Sequence, residues 1–150
     1  MKGIKYMNGG YSMAKLYKNF FKDKDILFVG YSSRNSAYSK EVYQAFVNNQ
    51  IKVYPYNKKE NASYDVKVYK SLEELPTLPK SAFVLLNKSN AAKEVKELID
   101  KGVQRILFRM ADQETLSECE KAGVEAIVGC PMMIYGTGMH KIHAFFAGVK

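Results

Sequence analysis

Three stretches of this sequence combine residue types that can do chemistry. The first is Gly30-Tyr31-Ser32-Ser33-Arg34-Asn35-Ser36, which follows the apolar run DILFV and precedes the apolar positions Val42, Tyr43, Phe46 and Val47. Glycine allows a tight strand exit, the serines bring hydroxyls, and the helix predicted next offers free N–H groups and a positive dipole end. Together these can cradle a phosphate. The same residues also spell an ordinary glycine turn with an N-capping serine. The second stretch is Pro55-Tyr56-Asn57-Lys58-Lys59, whose two ammonium groups would welcome a phosphate. The third is Cys130-Pro131, directly after the run VEAIVG. Its thiol is either a nucleophile or a small buried apolar residue.

The remaining candidates are weaker. His140 and His143 stand three apart and could act as a base or as metal ligands. No third ligand follows in a recognisable spacing, so they read as surface or partly packed histidines and no metal site is assigned. Tyr135-Gly136-Thr137-Gly138 reads as a turn before a last helix rather than a second anion loop, and Cys119, in SECEKAG, as an incidental residue of a polar helix. No catalytic residue is assigned.

These groups need a scaffold, and the apolar pattern supplies one. The 150 residues are about the commonest size for one domain, and a chain of this length can bury roughly 70% of its unfolded surface. Residues 1–12 form a polar arm broken by Asn8-Gly9-Gly10. Met13, Leu16, Tyr17, Phe20 and Phe21 then mark one face of a short helix against the sheet edge. Six strands are predicted in order: DILFVG, IKVYPY, VKVYKSL, SAFVLL, VQRILF and VEAIVG. Helices separate most of them. Ser89 or Asn90 caps one ending at Gly102, and Asp112 caps another ending at Gly123. Alternating strands and helices imply an α/β, doubly wound, three-layered Rossmann-like sheet of parallel strands, in the order 3-2-1-4-5-6. Residues 1–150 are expected to form one domain, with 1–22 as arm and short helix and 132–150 as an extension over the sheet.

Such sheets bind ligands at the carboxyl ends of the strands, where the order reverses. The crevice is therefore predicted between residues 30–38 and 86–90, which brings in Arg34, Ser36, Tyr38, Leu86, Asn87 and Lys88. The loop is not the dinucleotide fingerprint, since Ser32 and Asn35 stand where glycines would be needed. A carboxylate for the ribose hydroxyls is also missing after the second strand, where Asn57-Lys58-Lys59 stand.

Composition narrows the class. Apolar residues make up 47%, an ordinary globular share. No apolar run approaches the roughly 18 residues of a membrane span, and MKGIKYMNGGYSMAK has no continuous apolar core of a signal peptide. Two cysteines suit a reducing compartment, and a cytoplasmic location is expected. The net charge of +8 invites nucleic acid, but lysines are scattered and only Arg34, Arg105 and Arg109 offer the side chain that base readout favours. Solvated lysine-rich helix faces, or a polyphosphate ligand, account for the charge as well.

An ordered set of pieces carries a resemblance: VGYSSRNSAYS, VYPYN, VKVYKSLEELP and KAGVEAIVGCP. Over roughly residues 23–135 the chain resembles the small bacterial CoA-binding proteins, whose domain is similar to the nucleotide-binding domain of the succinyl-CoA synthetase α subunit. The resemblance implies CoA across the carboxyl edge. Gly30, Tyr31, Ser32 and nearby backbone, with Ser33 beside them, would meet the diphosphate. Pro55, Asn57 and Lys58 would lie near the adenosine and its 3′-phosphate. Leu86, Asn87 and Lys88 would form the opposite wall, and Cys130 and Pro131 would face the pantetheine arm, which adds a redox role for Cys130, pairing with the CoA thiol, to the two readings above. The chain departs from the family in having Asn87-Lys88-Ser89, where an arginine and prolines are frequent, and Ser36, where proline is common.

The function expected is a non-catalytic CoA or acyl-CoA binding protein that senses, carries or regulates, with a homodimer or a protein partner left open. The rivals are a small NADP-dependent oxidoreductase or an acyltransferase using Cys130. A nucleic-acid-associated protein is a weaker third reading.

Overall fold

The computed structural model describes residues 5–6, 20–32, 37–58 and 66–132. Six strands are β1 Lys5–Tyr6, β2 Asp25–Val29, β3 Lys52–Tyr56, β4 Ser81–Val84, β5 Arg105–Phe108 and β6 Glu125–Val128. Three helices are α1 Ala37–Asn48, α2 Lys88–Asp100 and α3 Gln113–Lys121. All strands run parallel, in the order β1-β6-β5-β4-β2-β3.

The strands read as near-continuous apolar runs because helices cover both faces. Ile26, Phe28, Phe83, Leu107 and Ile127 point to one face, where Val42 and Phe46 of α1 pack on them. Leu27, Val29, Ala82, Val84, Ile106, Phe108 and Ala126 point to the other, against Ala91, Val95 and Leu98 of α2 and Leu116 of α3. Cys119 is wholly buried in this second layer, so α3 is amphipathic and the thiol is part of its apolar face. Its neighbours in SECEKAG are polar, which hid a period of three to four residues.

Among the described residues the sheet has six strands, though not the six expected. VKVYKSL lies beside β3, as the order 3-2-1-4-5-6 requires, but pairs through one bridge, Tyr56 to Tyr69. Tyr69 N–H donates to Pro55 O at 2.8 Å, and Asn57 N–H donates to Tyr69 O at 2.9 Å. Pairing stops there because Glu74 accepts from the N–H groups of Lys70 and Ser71, at 3.0 and 3.2 Å, and draws the chain into the 3-10 turn Leu72–Glu74. The sixth strand is instead β1, within the stretch read as a flexible arm. It pairs Lys5 with Ile127 and Tyr6 with Val128, and two residues are too short to display a period.

The cap of α2 is Asn87 rather than Ser89 or Asn90. Its Oδ1 accepts from Asn90 N–H at 2.8 Å. Asp112 caps α3 as expected, accepting from Thr115 N–H at 2.8 Å. Phe20 and Phe21 are buried in the layer under α1, with the Phe21 and Phe46 rings 5.7 Å apart. Residues 13–19 of the expected short helix through Phe21, the loop residues Ser33, Arg34 and Ser36, and the stretch 133–150 with His140 and His143 lie outside the described residues.

At the opposite end from the strands' carboxyl edge, Arg105 is buried. It donates from Nε to Ser81 Oγ at 2.9 Å and pairs with Asp23 through Nη2. Ser81 Oγ in turn donates to Phe20 O at 2.7 Å. The charge is buried only because it is paired and hydrogen-bonded, and the network fixes the entry into β2 against β4 and β5.

Candidate functional site

The carboxyl ends of β2, β3 and β4 leave a cavity of about 370 Å³ under the start of α2. Val29 and Gly30 form one side, Tyr56, Asn57 and Lys58 a second, Leu86 a third, and Asn90, Lys93 and Glu94 of α2 the fourth. It lies where the chain leaves β2 for β3 on one side and takes up β4 on the other, as the rule for open parallel sheets requires.

Gly30 is dictated by this geometry. Its φ is +88°, and a Cβ there would sit 2.4 Å from Leu85 O and 2.7 Å from Leu86 Cδ2. The exits of β2 and β4 therefore touch, and only a residue without a side chain lets them. Gly30 N–H donates to Tyr56 O at 2.8 Å, and Leu85 N–H to Val29 O at 2.9 Å, which joins the three strand ends.

The residues expected at the diphosphate divide between core and rim. The Tyr31 ring is buried, 5.3 Å from Phe28 and 5.5 Å from Tyr43. Its backbone carbonyl accepts from Asn57 Nδ2 at 3.0 Å, so Asn57 ties the loop after β2 to the end of β3. Ser32 N–H donates at 3.0 Å to the hydroxyl of the fully buried Ser39, a residue that sequence reasoning did not single out. A serine inside a helix gives no hint that it will fasten a preceding loop. Pro55 is buried within β3, and Tyr56 lines the cavity in its stead.

Lys58 reaches the cavity but is engaged by α2. Its Nζ lies 2.9 Å from Glu97 and 3.3 Å from Glu94. The hydrogen bond with Glu97 is the main reason its titration is pushed above the ordinary lysine range. Tyr56 also donates to Glu97, at 3.5 Å. Burial first, then the charges of Glu94 and Glu97, push the Tyr56 phenol up. Leu86 lines the cavity, while Asn87 and Lys88 are exposed and spend their backbone on the start of α2. Asn90 falls within the predicted wall 86–90, whereas Lys93 and Glu94, three and four residues further along α2, were missed. That spacing from Asn90, on the polar face of a helix that follows β4, was the available signal.

A second group forms nearer β6. Cys130 Sγ lies 2.8 Å from the Tyr38 hydroxyl in the first turn of α1. Burial and the sulfur push the Tyr38 phenol well up, while Arg109, at the end of β5, works the other way. The structure thus brings Tyr38 and Cys130 together and adds Arg109, with Pro131 buried beside them. Among the described residues, no three His, Cys, Asp or Glu side chains are grouped to hold a metal ion. None of the described helices is long and apolar enough to cross a membrane.

An apolar base between strand ends, an aromatic wall and a rim holding both charges suit a nucleoside carrying phosphates. Comparison with known proteins agrees. A family model described as a CoA binding domain matches residues 24–136. No curated protein matches the chain. A hypothetical protein from Pyrococcus horikoshii OT3 superposes with a TM-score of 0.71 over 97% of this chain and 99% of its own, at 19% identity. A conserved hypothetical protein from Pyrococcus furiosus gives 0.63 over 73% and 96%, at 24% identity. A protein from Thermus thermophilus gives 0.67 over 89% and 98%, at 13% identity. At these identities the likeness shows the fold.

Proposed function

The chain belongs to the CoA binding domain family, and from that premise we propose that it binds CoA or acyl-CoA as a non-catalytic sensor, carrier or regulator. One observation carries the reading: the cavity at the ends of β2, β3 and β4 lies inside the stretch that the family model covers. In this reading the adenosine end enters between Tyr56, Asn57 and Lys58 on one side and α2 on the other. The diphosphate lies against the backbone of Gly30 to Ser32, and the pantetheine arm runs toward Cys130.

The group around Cys130 suits a thiol that meets a ligand's arm at the sheet edge: it is partly exposed and beside a hydroxyl. The Tyr38 hydroxyl and the Cys130 sulfur share one hydrogen bond, and burial with that sulfur holds the phenol above its ordinary range.

Native mass spectrometry of the purified protein tests the reading. A bound species with the mass of CoA or an acyl-CoA, retained or acquired on incubation, is the expected result. Uptake of a nicotinamide dinucleotide with no uptake of CoA would defeat it.

A further inference from the structure

The α2 wall of the cavity holds a group that the fold itself does not use. Glu94 Oε1 accepts from Lys58 Nζ at 3.3 Å, and Lys58 is nearer still to Glu97. Glu94 Oε2 is buried and has no hydrogen-bond partner among the described residues. Leaving a carboxylate oxygen desolvated and unmatched is costly, and native structures rarely do so without a reason. The neighbours exclude several reasons. Lys58 sits on the other oxygen, and Glu97 and Tyr56 are already joined to each other and to Lys58. The side chain lines the cavity.

We propose that Glu94 is a specificity-determining residue of this cavity, whose Oε2 accepts a hydrogen bond from an N–H or O–H donor on the nucleoside end of the ligand. The inference rests on the CoA reading above and deepens it. An ionised carboxylate is acceptor-only. It cannot serve a phosphate, which it repels, so phosphates belong on the Gly30 side and near the ammonium groups. Two donors on an adenosine fit its chemistry: the exocyclic amine of the base and a ribose hydroxyl. A base bearing a carbonyl where adenine bears its amine would set acceptor against acceptor, with the carboxylate left desolvated and unpaired. Lys58 fixes the carboxylate in place and balances its charge, so the oxygen is preorganised for a donor.

The test uses the whole chain and calorimetric titration with three probes: dephospho-CoA, its hypoxanthine counterpart and its 2′-deoxyribose counterpart. Omitting the 3′-phosphate keeps direct effects on Lys58 out of the comparison. Wild-type protein is expected to bind one altered probe roughly ten- to a hundredfold more weakly than dephospho-CoA, the range for a lost charge-assisted hydrogen bond. Weaker binding of the hypoxanthine probe assigns the base amine, and weaker binding of the deoxy probe assigns the hydroxyl. In Glu94→Gln, whose amide can donate as well as accept, most of that preference should vanish. A purely structural Glu94 would lower affinity for all three probes alike. Binding of all three by wild type within twofold, or full retention of the preference in Glu94→Gln, overturns the proposal while leaving CoA binding intact. Failure of wild type to bind either CoA or dephospho-CoA overturns the CoA reading and this inference with it. The wild-type comparison stands without any variant, so a misfolded Glu94→Gln would not shelter the idea.

Discussion

The hydroxyl of Tyr38 and the sulfur of Cys130 stand 92 residues apart in the chain and meet at 2.8 Å. The contact joins the first turn of α1 to the exit of β6, across the carboxyl edge of the sheet. The thiol is partly exposed there, where the reading above runs the pantetheine arm.

The first prediction follows from that position. A CoA thiol held near Cys130 would turn a bimolecular encounter into an intramolecular one. With diamide as oxidant, two thiols give up two electrons and two protons to the azo group, and one sulfur–sulfur bond forms. Peptide mapping should find one CoA on Cys130, removable by dithiothreitol. Cys119 is fully buried, and burial pushes its thiol up to about 12, so it should stay unmodified. An adduct on Cys119 alone, or on neither cysteine, would rule the idea out.

Ligand choice is read most simply by thermal shift. At a hundred times its dissociation constant a ligand stabilises by about 2.7 kcal/mol. CoA should therefore raise the melting temperature more than equal concentrations of NAD or NADP. The loop after β2 lacks the dinucleotide glycines, and the rim of the cavity carries Lys58 and Lys93. Equal shifts for CoA and NAD would contradict it.

The ion pairs of Lys58 sharpen the next expectation. If Lys58 serves the 3′-phosphate, Lys58→Ala should weaken CoA by roughly 1.5–3 kcal/mol more than dephospho-CoA. Glu97 competes with that phosphate for the same ammonium, at 2.9 Å. Glu97→Gln should therefore shift the ratio the other way, favouring CoA over dephospho-CoA relative to wild type. The two ratios, measured by calorimetry, must move in opposite directions. Parallel movement would place Lys58 away from the phosphate.

Glycine substitutions separate steric closeness from backbone preference. Gly30→Ala must accommodate a φ of +88° and also displace the Leu85 carbonyl, 2.4 Å from the new Cβ. Gly102, at φ +102°, has nothing within 4 Å of that point. A residue held in such backbone costs on the order of 1–3 kcal/mol. Gly102→Ala should fall in that range, and Gly30→Ala should cost clearly more, by denaturant unfolding. Equal losses would show that the exits of β2 and β4 can part freely.

Much of this architecture was legible in the sequence because buried parallel strands write themselves as apolar runs. DILFV, SAFV and RILF needed no more than that, and Gly102 and Asp112 marked helix ends by their own chemistry. VKVYKSL misled because its composition suits a strand, while the capping turn at Ser71 and Glu74 decides its length. The cavity's place followed from strand order, and Gly30, Asn57, Lys58 and Leu86 do line it. Glu94 and Glu97 stayed hidden for a different reason. Their reach to Lys58 crosses from a helix to a strand end, and no local pattern encodes a distance between two elements. Tyr31 shows the same limit in reverse, since nothing in its loop told that the ring would turn inward.

The pairing of β1 with β6 sets an order of events. A parallel strand cannot close by a short hairpin, and Lys5 finds its partner only when Ile127 is in place. Among the described strands, β1 is thus made before its partner and waits for β6 to be paired. Until then, among the described residues, no strand pairs with the outer edge of β6, and an open edge is the kind that recruits neighbouring chains. The short pairing at Lys5 and Tyr6 acts as a late cover on that edge, and its cost if lost would be counted in aggregation during folding rather than in the melting temperature of the finished protein.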